Sequence, residues 1–137
     1  MTAWNPNPDK AVGTLAVSGS TVYAGGSFTS IGGASRRGIA ALDATTGRAT
    51  AFNANPQPAD SFVDSIAVMG QTVVVVGEFE KIGGAVREFI AGLDAATGRA
   101  TPWNPPLNMF GAFSLAASTR TLYAGGDFGV YTFAAGP

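Results

Sequence analysis

Residues 21–53 read TVYAGGSFTSIGGASRRGIAALDATTGRATAFN, and residues 72–104 read TVVVVGEFEKIGGAVREFIAGLDAATGRATPWN. Gly26 and Gly77, Phe28 and Phe79, Arg36 and Arg87, Asp43 and Asp94, and Gly47 and Gly98 are each 51 positions apart. A third copy opens at Thr121 with TLYAGGDF, near the end of the 137-residue chain. Recurrence at about 50 residues marks a repeat array, in which each supersecondary unit carries an apolar face that only a neighbouring unit can cover.

Upstream of each copy lies another short apolar run: GTLAVSG (13–19), DSIAVMG (64–70) and AFSLAAS (112–118). Gly19-Ser20, Gly70-Gln71 and Thr119-Arg120 separate these runs from the copies, and two-residue connections join antiparallel hairpins. The predicted second strand (21–28, 72–79, 121–128) holds glycines, which are poor strand formers and predict close approach of another backbone or a bulky side chain. A loop with IGGASR or IGGAVR leads to a third strand (38–44, 89–95), small and apolar enough for burial on both faces. The turns that follow run from Asp43 to Gly47 and from Asp94 to Gly98, with the Asp expected to cap backbone N–H groups. A fourth strand, RATAFN (48–53) or RATPWN (99–104), ends in an aromatic residue and a Pro-containing link that stops the ladder. No stretch shows helical apolar spacing.

The expected fold is therefore all-β, built of β-propeller blades of four antiparallel strands, as in kelch-type repeats. The chain divides as one repeat array over residues 1–137. A fourth strand lies at 1–8, repeat one at 9–56, repeat two at 57–106 and an incomplete repeat three at 107–137. If the first and last pieces combine, the chain supplies about three blades, whereas propellers close with roughly 4 to 8. Two readings follow: a six-bladed homodimer completed by a second copy, or a piece of a longer array.

Apolar residues make up 46% of the sequence, enough for a packed core. Charged residues make up 12% and sum to −1, without the basic footprint that nucleic acid requires. Cysteine and histidine are absent, which excludes disulfides, thiolate and imidazole catalysis and zinc sites built on those residues. The longest apolar runs, such as VVVV at 73–76, fall far short of the roughly 20 residues of a membrane-spanning helix. No cofactor is expected, and no membrane insertion. The N-terminal MTAWNPNPDK has no apolar segment of the kind a signal peptide carries.

The combination VYAGGSFTSIGG, R-x-x-IAALDATTG and WNPNP resembles the bacterial delta-60-type repeat β-propellers over nearly all of residues 1–128. The third copy departs from that pattern after Phe128, lacking Ile-Gly-Gly, the Arg and the Leu-Asp-x-x-Thr-Gly turn. The resemblance implies a secreted or cell-surface propeller used for protein or glycan binding or as an extracellular scaffold, with no catalytic residues to carry over. The alternative is a propeller domain or fragment of a larger secreted enzyme or surface protein, with catalysis elsewhere. ALDATTGR and GLDAATGR also look like the docking motif of quinoprotein propellers, but Phe52 and Trp103 fall one residue out of step with that motif's Trp. On a strand, that shift moves a side chain to the opposite face.

Five repeated residues are candidate ligand contacts. Arg36 and Arg87 could present guanidinium groups to carboxylates or sugar hydroxyls, or pin their loops by bonding backbone carbonyls. Trp4, Phe52 and Trp103 occur once per unit and could stack on sugars or pack between blades. Asp43 and Asp94 are expected to cap turns, since neither has a second carboxylate nearby towards the roughly 6 to 8 oxygens that Ca²⁺ takes. Glu78, Glu80 and Glu88 occur only in the middle unit and are expected on a solvated face. No metal site is expected.

Overall fold

The computed structural model describes residues 4–105, 114–126 and 129–134. Met1–Ala3 of the expected N-terminal strand, the boundary between repeats two and three, and Phe128 lie outside the described residues. Among the described residues the fold is all-β and antiparallel, without a helix.

Repeat one forms β1 (Val12–Ser18), β2 (Thr21–Gly26), a two-residue hairpin of β3 (Ser30–Ile31) and β4 (Ala34–Ser35), and β5 (Ile39–Asp43). Repeat two follows the same order with β6 (Phe62–Met69), β7 (Thr72–Glu78), the hairpin β8 (Lys81–Ile82) and β9 (Ala85–Val86), and β10 (Ile90–Asp94). The last repeat supplies β11 (Ser114–Ala117), β12 (Thr121–Gly126) and β13 (Gly129–Ala134). In each sheet the second strand is central: β1-β2-β5, β6-β7-β10 and β11-β12-β13.

Two expectations are corrected. The Ile-Gly-Gly segment is a hairpin rather than a loop, because Gly32 and Gly33 both take positive φ (63° and 77°), as a tight two-residue turn requires. A Cβ on Gly32 would lie 2.5 Å from the Ala49 nitrogen, so the hairpin can rest on the segment after β5 only if that residue is glycine. The fourth strand is reduced to single bridges, Leu42 to Ala49 and Leu93 to Ala100. Side-chain chemistry explains the loss: the guanidinium of Arg36 takes the carbonyls of Thr50 and Phe52, and the Ala49 N–H turns to Gly32. The two carbonyls are then engaged by Arg36 rather than by a strand neighbour, whereas the Ala49 N–H faces away from β5.

The sheets stack face on face. In β7, Val73 and Val75 belong to a core shared with repeat one, whereas Val74 and Val76 belong to a core shared with the last repeat. Alternation along one strand thus places successive valines on opposite faces, both buried. Repeat one contributes Ala16, Tyr23, Ile39 and Ala41 to the first core, opposite Ile66, Val68, Ala91 and Leu93. In the second core, Ala67 and Ile90 meet Leu115, Leu122, Ala124 and Phe133. Each fully buried valine is worth roughly 1.5–3 kcal/mol of apolar transfer, so stacking holds the array together.

The glycines of the second strand stand where close approach was expected in repeats one and two, whereas Gly125 of the last repeat has no contact under 3.8 Å among the described residues. A Cβ on Gly25 would come within 2.7 Å of the Thr14 methyl, 2.9 Å of Val63 and 3.1 Å of Ile66. Gly26 instead faces the backbone carbonyl of Ala11 at the bulge between Val12 and Thr14.

Candidate functional site

Four charged residues that recur between the repeats, Asp43, Asp94, Arg36 and Arg87, are held by the backbone. Asp43 accepts hydrogen bonds from the N–H groups of Thr45 and Thr46, both at 2.8 Å, and Asp94 accepts from Ala96 and Thr97 at 2.9 Å. Those N–H donors hold both carboxyls below the usual aspartate range. The turns therefore form as the Asp-x-x-Thr-Gly pattern predicts. Tyr23 sits edge-on to Phe52 with ring centroids 5.4 Å apart. Burial, followed by the Asp94 charge, pushes its phenol upward and keeps it a donor.

Arg36 and Arg87 hold their loops. Arg36 donates to Ser35, Thr50 and Phe52 carbonyls at 2.8–3.1 Å. Arg87 donates to the carbonyls of Val86 and Thr101 at 2.8 and 3.0 Å. Among the described residues its Nε and the Thr101 hydroxyl are buried without hydrogen-bond partners. In repeat one the corresponding atoms bond the carbonyl and the N–H of Phe52. Gly32 and Gly83 of the hairpins donate to the link carbonyls of Pro6 and Ala54 at 2.7 Å.

The three aromatics lie between or against sheets. Phe52 is fully buried, so neither ring face is open to a ligand. Trp4 is half-buried over Leu42 and Ala49, its indole N–H donating to the Asp43 carbonyl at 3.1 Å. Trp103 is half-buried and meets Phe133 edge-on at 5.4 Å. The structure thus brings Arg36 and Phe52 together, but around carbonyls and within packing rather than around an opening.

The openings lie elsewhere. A groove of about 370 Å³ runs between the link of repeat one and the hairpin of repeat two, lined among others by Asn53, Asn55, Gln57, Lys81, Gly84 and Arg99. The equivalent groove one repeat earlier, about 290 Å³, is lined by Pro6, Asn7, Ser30, Ile31 and the Gly33–Ser35 turn. Asn7 and Asn55 hold positive φ (52° and 46°) at matching places, a conformation that asparagine tolerates better than most side chains. Each precedes a proline, Pro8 or Pro56, and nothing local in the sequence reveals the groove beside them. Asp9 was not singled out either. Its carboxylate accepts from the N–H groups of Thr29 and Ser30 and from the Thr29 hydroxyl, which lower it to about 2. In repeat two the Gln57 carbonyl takes the corresponding N–H groups of Glu80 and Lys81.

A third opening, about 280 Å³, lies where the bulges of β1 and β6 meet and includes Asp64. Partial burial and then the Glu78 charge push the Asp64 carboxyl upward. No group of three or more carboxylates among the described residues is placed to hold a metal ion. No described helix is long and apolar enough to cross a membrane.

No protein-family model and no curated protein matches the chain. Among solved structures it is similar to the computationally designed Ika4 protein, at 13% identity and a TM-score of 0.58, over 95% of this chain and 94% of that one. The likeness is one of fold, extending over the whole arrangement rather than one sheet.

Proposed function

We propose that the chain is a non-enzymatic module of β-propeller blades that binds protein or glycan, or serves as an extracellular scaffold. The observation that carries this reading is the groove between link and hairpin, present in two consecutive repeats with a left-handed asparagine at the same place in each. The left-handed asparagines shape the link in the same way beside each opening. The groove offers amide groups and backbone, with Lys81 and Arg99 at the second copy. That chemistry suits hydroxyls, carbonyls and carboxylates. The stacking of equivalent sheets, with Arg36, Arg87, Asp43 and Asp94 committed to the backbone, supports a rigid scaffold for such grooves.

The reading is tested by probing the intact chain on glycan and peptide arrays beside a Lys81→Ala, Arg99→Ala double variant. Binding lost in the variant, with an unchanged β circular-dichroism spectrum, places the ligand in the second groove. Binding retained by the variant moves it elsewhere, and a chain that binds neither array is left with the scaffold role.

A further inference from the structure

Each sheet has two faces, and register assigns every strand residue to one of them. In repeat one, Leu15, Val17, Val22, Ala24, Ala40 and Leu42 share the first face, because directly paired residues lie side by side. Ala16, Tyr23, Gly25, Ile39 and Ala41 share the second. The second face of repeat one packs on the first face of repeat two, and the second face of repeat two packs on the first face of the last repeat. One contact is used twice, in the same direction. Among the described residues, what remains is the β1 side of one first face, at Leu15 and Val17, and one second face, on β11-β12-β13. Ala24, Ala40 and Leu42 of that first face are already packed with Trp4, Phe28 and Ile31.

These leftovers are the two halves of that contact. Leu15 is 63% exposed, whereas Ile66, its counterpart in repeat two, is 6% exposed beneath repeat one. Tyr123 is 44% exposed, whereas Tyr23, its counterpart in repeat one, is 4% exposed. Val17 and Val130 are likewise uncovered. The strand residues on both open faces are uncharged. Gly125 adds a weaker sign, since the same place in repeat two holds the buried Val76. In repeat one a Cβ on Gly25 would meet the Thr14 methyl of its own sheet as well as Val63 and Ile66 of the next. A Cβ on Gly125 would meet only the Gly129 carbonyl at 3.8 Å among the described residues.

We infer that the open face of β11-β12-β13 docks on the open β1 side of the first face of β1-β2-β5 of a second copy of this chain, repeating the internal contact head to tail. The inference rests on the blade reading above and names its partner. By correspondence, Leu15 and Val12 of the second copy occupy the space over Gly125. Tyr123 meets Trp4 edge-on and donates its hydroxyl to the Ala44 carbonyl, as Tyr23 does to Phe52 and Ala95. Such a contact is heterologous, so two copies either close on each other as a six-sheet ring or continue as an open array.

The test is the mass of the intact chain in solution by light scattering across a concentration series, for wild type, Leu15→Glu, Gly125→Glu and an equimolar mixture of the two variants. Wild type is expected at twice the chain mass or, for the open array, as a ladder of multiples. Each variant alone is expected at the chain mass, with the β spectrum of wild type. The mixture is expected to restore a two-chain species at raised concentration, because each variant retains the face that the other has lost. An isologous contact cannot be restored in this way. Wild type at the chain mass throughout, variants that still associate, or a mixture that stays apart each overturn the proposal. A wild-type chain that stays single yet unfolds cooperatively with its β spectrum leaves the scaffold reading standing, so the two failures are distinguishable.

Discussion

The Tyr23 hydroxyl lies 2.8 Å from the carbonyl oxygen of Ala95, to which it donates across the boundary between the first two sheets. Its ring is buried against Phe52 of the link that leads into the second sheet. Removing the hydroxyl alone by Tyr23→Phe leaves the packing and strands one carbonyl, so a loss of about 1 kcal/mol is expected from denaturant unfolding. Tyr123→Phe in the monomeric Leu15→Glu background is expected to change stability by less than about 0.5 kcal/mol, since that side chain is open.

Gly25 and Gly125 occupy the same place in different surroundings. Gly25→Val drives a branched side chain into Val63 and Ile66 and is expected to destabilise the chain by about 1–3 kcal/mol. Gly125→Val meets open space and is expected to lie within about 0.5 kcal/mol of its parent when both are monomeric. Equal losses at the two sites would contradict the stacking order.

Arg36→Ala removes three hydrogen bonds to backbone carbonyls and is expected to cost about 2 kcal/mol. Arg87→Ala is expected to cost less, because it removes two such bonds and a buried Nε that has no partner among the described residues. Parallel urea titrations give the ranking, and the reverse order would refute it.

Stability should fall in acid. Asp9, with a folded value of about 2 against an ordinary 3.8, contributes stabilisation that is present above 3.8 and lost as pH falls towards 2. Asp43 and Asp94 are lowered as well and act in the same direction. Asp64 is raised, so its contribution has the opposite sign, present below 3.8 and lost as pH rises through its folded value. Denaturation midpoints followed from about pH 5 to pH 2 are expected to drop less steeply in Asp9→Asn than in wild type.

The strands and turns were legible because their causes are local. The Gly19 and Gly70 turns and the Asp43 and Asp94 caps involve residues within a few positions of one another, and the alternation along β7 follows from strand geometry. The groove beside Asn7 and Asn55 was not legible, because its walls come from a link and a hairpin more than 20 residues apart. The fate of the fourth strand was hidden for a similar reason. Whether Thr50 and Phe52 offer their carbonyls to a ladder or to Arg36 depends on where a guanidinium 14 to 16 residues away arrives.

Phe89 shows the division most plainly. It takes the place of Gly38 and shares its positive φ, 68° against 70°, although a bulky side chain resists that conformation. Sequence alone determined the repeat and the all-β character, since period and alternation are properties of the chain. Only the tertiary structure decided which faces are covered, leaving Leu15 open and Ile66 closed. Burial depends on which neighbour arrives, and identical strands acquire different surroundings according to their place in the stack.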